Sequence, residues 1–263
     1  MNNRIAIFID FDGTLYDNKE KFIPKSTIET LYKYHDKYDL FLSTGRAKFV
    51  LGQLEEYLPL FKGMVLMNGD YVLYNGETLR HEYFDEVDIK HIIKVCEEDN
   101  IVLALPTTDE CYVNDMDEFI NKVLDGKDLS SIHNIEGFNF DTSLHYSMAW
   151  VFAERAKLEE MAKKVPNADI IPWGRYGGDV LIKGHSKANG IKEILNKLNY
   201  KLENTFAIGN GDNDLEMFGL VNTAIAMGNS SEKALQAANY ITDDLHKDGF
   251  KKAFDYINEV VKK

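Results

Sequence analysis

Two aspartates, Asp10 and Asp12, follow an unbroken apolar run and could act together on one substrate. The run, residues 5–9, favours a strand that is buried on both faces. Side chains two residues apart on an extended strand point to the same side, so both carboxylates can reach one site. Neighbouring carboxylates repel each other, which favours a divalent cation or a shared proton between them. The same residues are also compatible with an acidic turn, which Gly13 would help to form.

Three further polar segments follow predicted strands or begin predicted helices. Thr44-Gly45-Arg46 offers a hydroxyl, an unhindered amide and a guanidinium, which together can hold a phosphate. Lys187 lies in the first turn of a predicted helix, where its charge opposes the helix dipole, so a countercharge is expected nearby. Residues 209–214 (Gly-Asn-Gly-Asp-Asn-Asp) carry the oxygen ligands that suit Mg²⁺. Singly, the three segments are also compatible with a helix N-cap, a surface lysine and an Asx-rich turn.

The order of secondary-structure patterns predicts an α/β fold whose core is a doubly wound, Rossmann-like parallel sheet. Strands are predicted at 5–9, 40–42, 64–67, 205–208 and 223–226, and helices between them include one over 47–57. All four polar segments then fall at the same edge of the sheet, where ligands of such folds bind.

The alternation of strands and helices changes near residue 83 and returns near residue 182. Strand-rich hairpins with two helices, one of them beginning near Met116, predict an α+β cap domain inserted into the core. The predicted core is residues 1–82 and 182–263, and the predicted cap is residues 83–181.

The composition limits the possible partners. There are 30 Lys and Arg residues against 43 Asp and Glu residues, and the net charge of −13 disfavours nucleic acid and anionic membranes as partners. A few local cations and amides can still hold one phosphate. Cys96 and Cys111 lack metal-ligand spacing and are expected to be reduced. Without a long apolar run, the expectation is a cytoplasmic protein that is a monomer or a weak homo-oligomer.

The four segments, in this order, resemble the motifs of the haloacid dehalogenase-like superfamily. Residues 10–15 (Asp-Phe-Asp-Gly-Thr-Leu) are similar to its first motif, Thr44-Gly45-Arg46 to its second, Lys187 to its third and residues 209–214 to its fourth. The large insert, the helix start at 186–190 and the Asp-Gly-Phe at 248–250 resemble the Cof-type branch. The resemblance covers essentially the whole chain.

This resemblance implies a Mg²⁺-dependent phosphatase for a small phosphorylated metabolite, with sugar phosphates as the first substrate class to consider. Asp10 would attack phosphorus and form an aspartyl-phosphate, while Asp12 would protonate the leaving group and then activate water. Mg²⁺ would bind Asp10 and the main-chain oxygen of Asp12. The phosphate would be held by Thr44, Gly45, Lys187 and Asn213, with Arg46 nearby.

The fourth motif departs from the family pattern at Asn210, because the family usually has Asp at this metal-binding position. An amide oxygen can bind Mg²⁺ without supplying charge, and Asp212 or Asp214 could compensate. The predicted metal ligands are therefore Asp10, Asp12, Asn210 and Asp214.

Three other functions use similar residues. A phosphomutase or phosphotransferase would share the aspartyl-phosphate, and a catalytically weakened phosphometabolite-binding protein would explain Asn210. A phospho-accepting receiver module also uses Asp and Lys, but its Asp follows the third strand and it has no large insert. The cap residues that set specificity match no motif, and Trp173, Arg175 and Tyr176 are candidates because they lie in a Gly-containing loop after a cap strand.

Overall fold

The computed structural model describes residues 4–117 and 130–262. The chain divides into two compact units. The first comprises Met1–Gly45, Gln53–Arg80 and Ser186–Lys263, and the second comprises Arg46–Gly52 and His81–His185. The sequence-based division placed residues 46–52 in the core, whereas they belong to the second unit, in which the ring of Phe49 lies 6.2 Å from that of Trp150. The helix predicted from Met116 lies almost wholly outside the described residues.

Fourteen strands and seven α-helices lie within the described ranges. The strands are β1 (Ala6–Ile9), β2 (Asp39–Ser43), β3 (Gly63–Leu66), β4 (Tyr71–Tyr74), β5 (Glu77–His81), β6 (Val102–Pro106), β7 (Cys111–Val113), β8 (Ile132–Asn134), β9 (Met148–Glu154), β10 (Ala168–Pro172), β11 (Tyr176–Ile182), β12 (Thr205–Gly209), β13 (Thr223–Ala226) and β14 (Tyr240–Ile241). The helices are α1 (Lys25–Tyr34), α2 (Glu86–Glu98), α3 (Arg155–Lys164), α4 (Lys187–Leu198), α5 (Leu215–Leu220), α6 (Glu232–Ala237) and α7 (Gly249–Val261).

The first unit is built on an eight-stranded sheet with the order β14-β13-β12-β1-β2-β3-β4-β5. The strands from β14 to β3 pair in parallel, and β4 is antiparallel to β3. The chain runs outward from β1 to β2 and β3 on one side, and from β12 to β13 and β14 on the other. The strand order therefore reverses beside β1, which is where open α/β sheets bind ligands. The predicted α/β class with a parallel core sheet is confirmed.

Strand β1 is anchored because every one of its residues is buried. Phe8 stacks on Phe41 of β2 with 5.1 Å between ring centroids, and both belong to one hydrophobic cluster with Ile191 and Ile194 of helix α4. Burying side chains of this size contributes about 1.5–3 kcal/mol each. Residues that directly follow β1 are thus held by a well-packed strand.

The second unit contains a six-stranded sheet with the order β10-β11-β9-β6-β7-β8, antiparallel except for the β7–β8 pair. Helices α2 and α3 contribute Ile92, Cys96 and Leu158 to a core that also includes Leu103 and Val151 of the sheet. This is the α+β unit that the sequence predicts. Its role as a cap remains a prediction.

Residues 47–57 do not form the predicted α-helix. They form two 3₁₀ segments, Lys48–Val50 and Gly52–Leu60. Gly52 and Pro59 are poor residues for an α-helix, which accounts for the difference. Across 4–117 and 130–262, every helix is too short or too polar to cross a bilayer.

Candidate active site

The chain makes a tight turn immediately after strand β1. The main-chain amide of Asp10 donates to the carbonyl of Ile208 at 2.9 Å, and the Phe11 carbonyl accepts three amides from residues 14–16. Gly13 has a φ of +81°, which L side chains rarely adopt. A Cβ on Gly13 would also collide with the side-chain amide of Asn210. Glycine therefore allows the turn to lie directly against residues 209–214.

Lys187 lies between two buried carboxylates. Its Nζ donates to Oδ1 of Asp10 at 2.6 Å and to Oδ1 of Asp214 at 2.7 Å, and both Lys187 and Asp214 are fully buried. The lysine is held in the first turn of α4 by a capping box, in which the Ser186 amide donates to Oδ1 of Asn189 at 2.9 Å. Asp10 and Asp214 therefore both provide the countercharge that a lysine at a helix start requires.

Burial governs the titration of this group of three charges. Desolvation, helped by the charge of Asp214 and opposed by Lys187, raises the pKa of Asp10 from 3.8 to about 7. Burial alone would lower the pKa of Lys187, but the two carboxylates hold it above its ordinary value. Lys187 is therefore a permanent cation, and Asp10 becomes fully ionised only above neutral pH unless another cation binds beside it.

The two aspartates of the loop at 209–214 have different partners. Asp214 directs Oδ2 to the main-chain amides of Asn210 and Gly211, each at 2.9 Å, and Oδ1 to Lys187. Asp212 is exposed, and its carboxylate accepts from Ser231 at 2.6 Å and from Lys233 at 3.0 Å. Asp214 thus orders the loop and the lysine, and Asp212 contacts the start of helix α6. Whether either of them binds a metal remains a prediction.

The side-chain amide of Asn210 lies among three oxygen atoms. With its nitrogen turned toward them, it donates to the main-chain oxygen of Asp12 at 2.7 Å and to Oδ2 of Asp10 and Oγ1 of Thr14, both at 3.2 Å. A position lined by carboxylate, carbonyl and amide oxygens fits a hard cation, with the amide reversed to present Oδ1. Over the described residues, His, Cys, Asp and Glu side chains form no group of three or more that could hold a metal. The donors that fit Mg²⁺ here are therefore mixed, with one carboxylate, one carbonyl and one amide.

A second polar group joins the end of β2 to the same loop. The main-chain amide of Thr44 donates to Val65 at 2.8 Å, which fixes the end of β2 against β3. Nδ2 of Asn213 donates to Oδ1 of Asn68 at 3.1 Å. A Cβ on Gly45 would lie 2.9 Å from Nδ2 of Asn68, so the glycine lets the main chain approach that amide. Asn68 therefore contacts both predicted phosphate-binding segments.

Arg46, which the sequence grouped with Thr44 and Gly45, belongs to the second unit. It is buried, and Nη1 donates to the carbonyl of Val50 at 2.9 Å. Its predicted place near the phosphate stays a prediction.

Two residues of this region were not anticipated. Asn68 follows β3, so the rule that ligands bind at the carboxyl ends of parallel strands could have found it. Asn229, whose Nδ2 donates to the Gly13 carbonyl at 2.8 Å, also follows a parallel strand, so the same rule could have found it. It follows β13 by three residues and reaches the first turn only through the fold.

A family model for haloacid dehalogenase-like hydrolases matches residues 7–254. The chain belongs to this family. The matched range contains all the residues of the site described above. This hydrolase is of the Cof type that its motifs predicted.

Relatives of the hydrolase carry phosphatase names. YkrA, a candidate phosphatase of Bacillus subtilis (strain 168), is 28% identical over 92% of this chain and 93% of its own length. The 5-amino-6-(5-phospho-D-ribitylamino)uracil phosphatase YcsE of the same organism is 26% identical over 94% of this chain and 93% of its own. A solved sugar phosphatase of subclass IIB, BT4131, has a TM-score of 0.89 and 27% identity, covering 97% of this chain and 99% of that one. The hydrolase is therefore a phosphatase, which acts on a small phosphorylated substrate.

Proposed function

We propose that this hydrolase is a Mg²⁺-dependent phosphatase that uses Asp10 as its nucleophile and hydrolyses a sugar phosphate through an aspartyl-phosphate. The observation that carries the proposal is the arrangement around Asp10. Lys187 contacts one of its carboxylate oxygens, and Asn210 lies beside the other. A buried carboxylate with a fixed cation beside one oxygen and a neutral amide beside the other suits attack on a dianionic phosphate.

In the first half-reaction, the Asp10 carboxylate attacks phosphorus and a new P–O bond forms. The bond between phosphorus and the ester oxygen breaks, and its electron pair goes to the departing alkoxide. Asp12, two residues along the turn, donates a proton to that oxygen. Lys187 offsets the repulsion between the Asp10 carboxylate and the phosphate group of the substrate.

In the second half-reaction, a water molecule attacks phosphorus of the aspartyl-phosphate, and Asp12 accepts its proton. The bond between phosphorus and Asp10 breaks, which restores the carboxylate and releases inorganic phosphate. Thr44, Gly45 and Asn213 would hold the phosphate oxygens through both steps.

Asp10, the main-chain oxygen of Asp12 and Oδ1 of Asn210 would hold Mg²⁺. When bound, Mg²⁺ supplies positive charge that draws the phosphate toward the nucleophile. Asp214, which the sequence predicts as a metal ligand, would instead fix Lys187 and the main-chain amides of the loop, because both of its carboxylate oxygens already accept hydrogen bonds from these groups.

The substrate class is proposed from the relatives. BT4131 is described as a sugar phosphatase, and YcsE as a phosphatase for a phosphorylated ribitylamino compound. Both names describe a phosphate ester on a polyhydroxylated chain, which supports a sugar phosphate for this hydrolase. The second unit would supply the residues that select the sugar, as inserted domains of enzymes often do.

A turnover screen tests this proposal. Phosphorylated sugars, polyols and nucleotides would each be incubated with the protein and Mg²⁺, and released phosphate would be measured against an Asp10→Asn variant. We expect sugar phosphates to give the highest kcat/KM, with release of one phosphate per substrate. Isomerisation without phosphate release would identify a phosphomutase, and binding without turnover would identify a weakened binding protein.

A further inference from the structure

The turn at residues 67–69 has an unusual main-chain conformation. Met67 and Asn68 both have φ of +51°, and Gly69 has φ of +104°. The left-handed region is unfavourable for residues other than glycine, although Asn tolerates it better than most. Such a turn persists only where its surroundings hold it in place.

One side of the turn contacts both predicted phosphate-binding segments. The main-chain amide of Asn68 donates to the carbonyl of Thr44 at 3.2 Å. The residue is 1% exposed, and its side chain accepts from Nδ2 of Asn213 at 3.1 Å and lies against the main chain of Gly45. Because these contacts come from one buried residue, the spacing between Gly45 and Asn213 depends on it.

The other side of the turn packs against the start of helix α4. A Cβ on Gly69 would collide with the carbonyl oxygen of Ser186 and lie 3.2 Å from the amide of Gly190. A Cβ on Gly190 would lie 3.0 Å from the carbonyl oxygen of Gly69 and 2.6 Å from a methyl group of Val65. The helix turn that carries Lys187 therefore approaches residues 67–69 as closely as main chain allows.

We infer that Asn68 is a positioning residue, which sets the separation of the Gly45 main chain and the Asn213 side chain for phosphate binding. The inference rests on the proposed function, in which those two groups hold the phosphate. Asn68 acts through them and does not contact the reacting atoms. Its loss therefore weakens the binding of phosphate in substrate and product alike, and it raises KM more than it lowers kcat.

The direct test is the affinity of the Mg²⁺-loaded protein for inorganic phosphate, measured by calorimetry. Asn68→Gly keeps the left-handed main chain and removes the amide side chain, so it separates positioning from main-chain strain. The substitution removes the hydrogen bond from Asn213, and one hydrogen bond to an uncharged partner is worth roughly fivefold in an equilibrium constant, so the Kd for phosphate is predicted to rise about fivefold. Asn75→Gly is the matched control, because Asn75 is exposed and also has a positive φ, of 49°. This control variant should have a Kd for phosphate within about twofold of the wild-type value.

A double-mutant cycle with Asn213→Ala separates this inference from the function on which it rests. If Asn68 acts through Asn213, the double variant is weakened by less than the product of the two single effects. If Asn213→Ala leaves phosphate affinity unchanged, the proposed phosphate site is wrong. If Asn213→Ala weakens binding while Asn68→Gly does not, or if the two effects multiply, Asn68 is not a positioning residue, although the proposed function stands.

Discussion

The side-chain amide of Asn210 lies 3.2 Å from Oδ2 of Asp10, while Oδ1 of the same carboxylate receives Lys187 at 2.6 Å. The two oxygens of Asp10 therefore face different partners, a fixed cation and a neutral amide. A neutral amide can rotate to donate through its nitrogen or to accept through its oxygen. A carboxylate at position 210 could only accept, and it would face Asp10 without a cation between them.

Charge at position 210 should control the need for Mg²⁺. Asn210→Asp adds a carboxylate ligand, and a contact between opposite charges is worth about 1 kcal/mol in water and several in a less polar site. We expect the Mg²⁺ concentration for half-maximal activity to fall about five- to tenfold. Asn210→Ala removes the ligand oxygen and should raise it.

Thermal unfolding provides a second readout for the same variants. Without Mg²⁺, Asn210→Asp places two carboxylates side by side and should lower the Tm, so added Mg²⁺ should raise the Tm more than in the wild type. Asn196→Asp makes the same change at an exposed position of helix α4 and should alter neither readout. If Asn210→Asp and Asn210→Ala both respond to Mg²⁺ as the wild type does, Asn210 is not a metal ligand.

Removing Lys187 should cost both activity and stability. Lys187→Met leaves Asp10 and Asp214 buried with no cation between them, and breaking a buried ion pair costs about 3–5 kcal/mol. Urea unfolding measures this loss. Lys192→Met, at an exposed position of the same helix, should unfold within about 0.5 kcal/mol of the wild type. Equal stabilities of the two variants would contradict the buried arrangement.

The free energy of unfolding of the metal-free protein should decrease as the pH rises, and Asp10 should account for part of this decrease. Its pKa is raised from 3.8 to about 7, so between these values the folded state binds the extra proton. This contribution is fully present below about pH 4 and is lost as the pH rises through 7. From pH 5 to 7, at about 1.4 kcal/mol per pH unit, the wild type should lose roughly 2–3 kcal/mol relative to Asp10→Asn. Urea unfolding in EDTA measures the stability of the wild type relative to Asp10→Asn. A constant difference between pH 5 and 7 would show that Asp10 titrates outside this pH range.

Arg175 and Trp173 should differ in their effects on the second unit. The Arg175 side chain is 88% exposed and lies 3.7 Å from Glu154, whereas the Trp173 ring packs 5.8 Å from Phe152. Because Arg175 is exposed and is a candidate for contact with the substrate, Arg175→Ala should change the ranking of substrates by kcat/KM. It should leave hydrolysis of a small aryl phosphate unchanged. Arg155→Ala is the control, since Arg155 is another exposed arginine of the same unit. An Arg175 variant with the wild-type ranking would remove this residue from substrate selection.

Trp173→Ala should mainly destabilise the second unit. Removing a partly buried aromatic ring that packs on its neighbours costs about 1–3 kcal/mol. Thermal unfolding should show this loss, and a change in substrate ranking at unchanged stability would instead place Trp173 against the substrate.

Local sequence patterns predicted the strand before Asp10 because a continuous apolar run has few alternatives to a buried strand. They also predicted that Lys187 needs a countercharge, since its place at a helix start is unfavourable. They could not separate Asp212 from Asp214, because a single 3₁₀ turn makes one exposed and buries the other. The pairing of Asn68 with Asn213, 145 residues away, could not be predicted, because this contact and the positive φ of Asn68 depend on the tertiary structure.

The most direct test of the central claim is a rapid acid quench with ³²P-labelled aryl phosphate and the Asp12→Asn variant. An aryl leaving group needs little help from a general acid, so the first half-reaction should proceed while loss of the base slows the second. We predict close to one phosphoryl group per protein, on the peptide that contains Asp10, and turnover reduced on the order of 10⁴-fold or more for folded Asp10→Asn. Phosphate release with no label on that peptide, together with an active Asp10→Asn variant, would contradict the account.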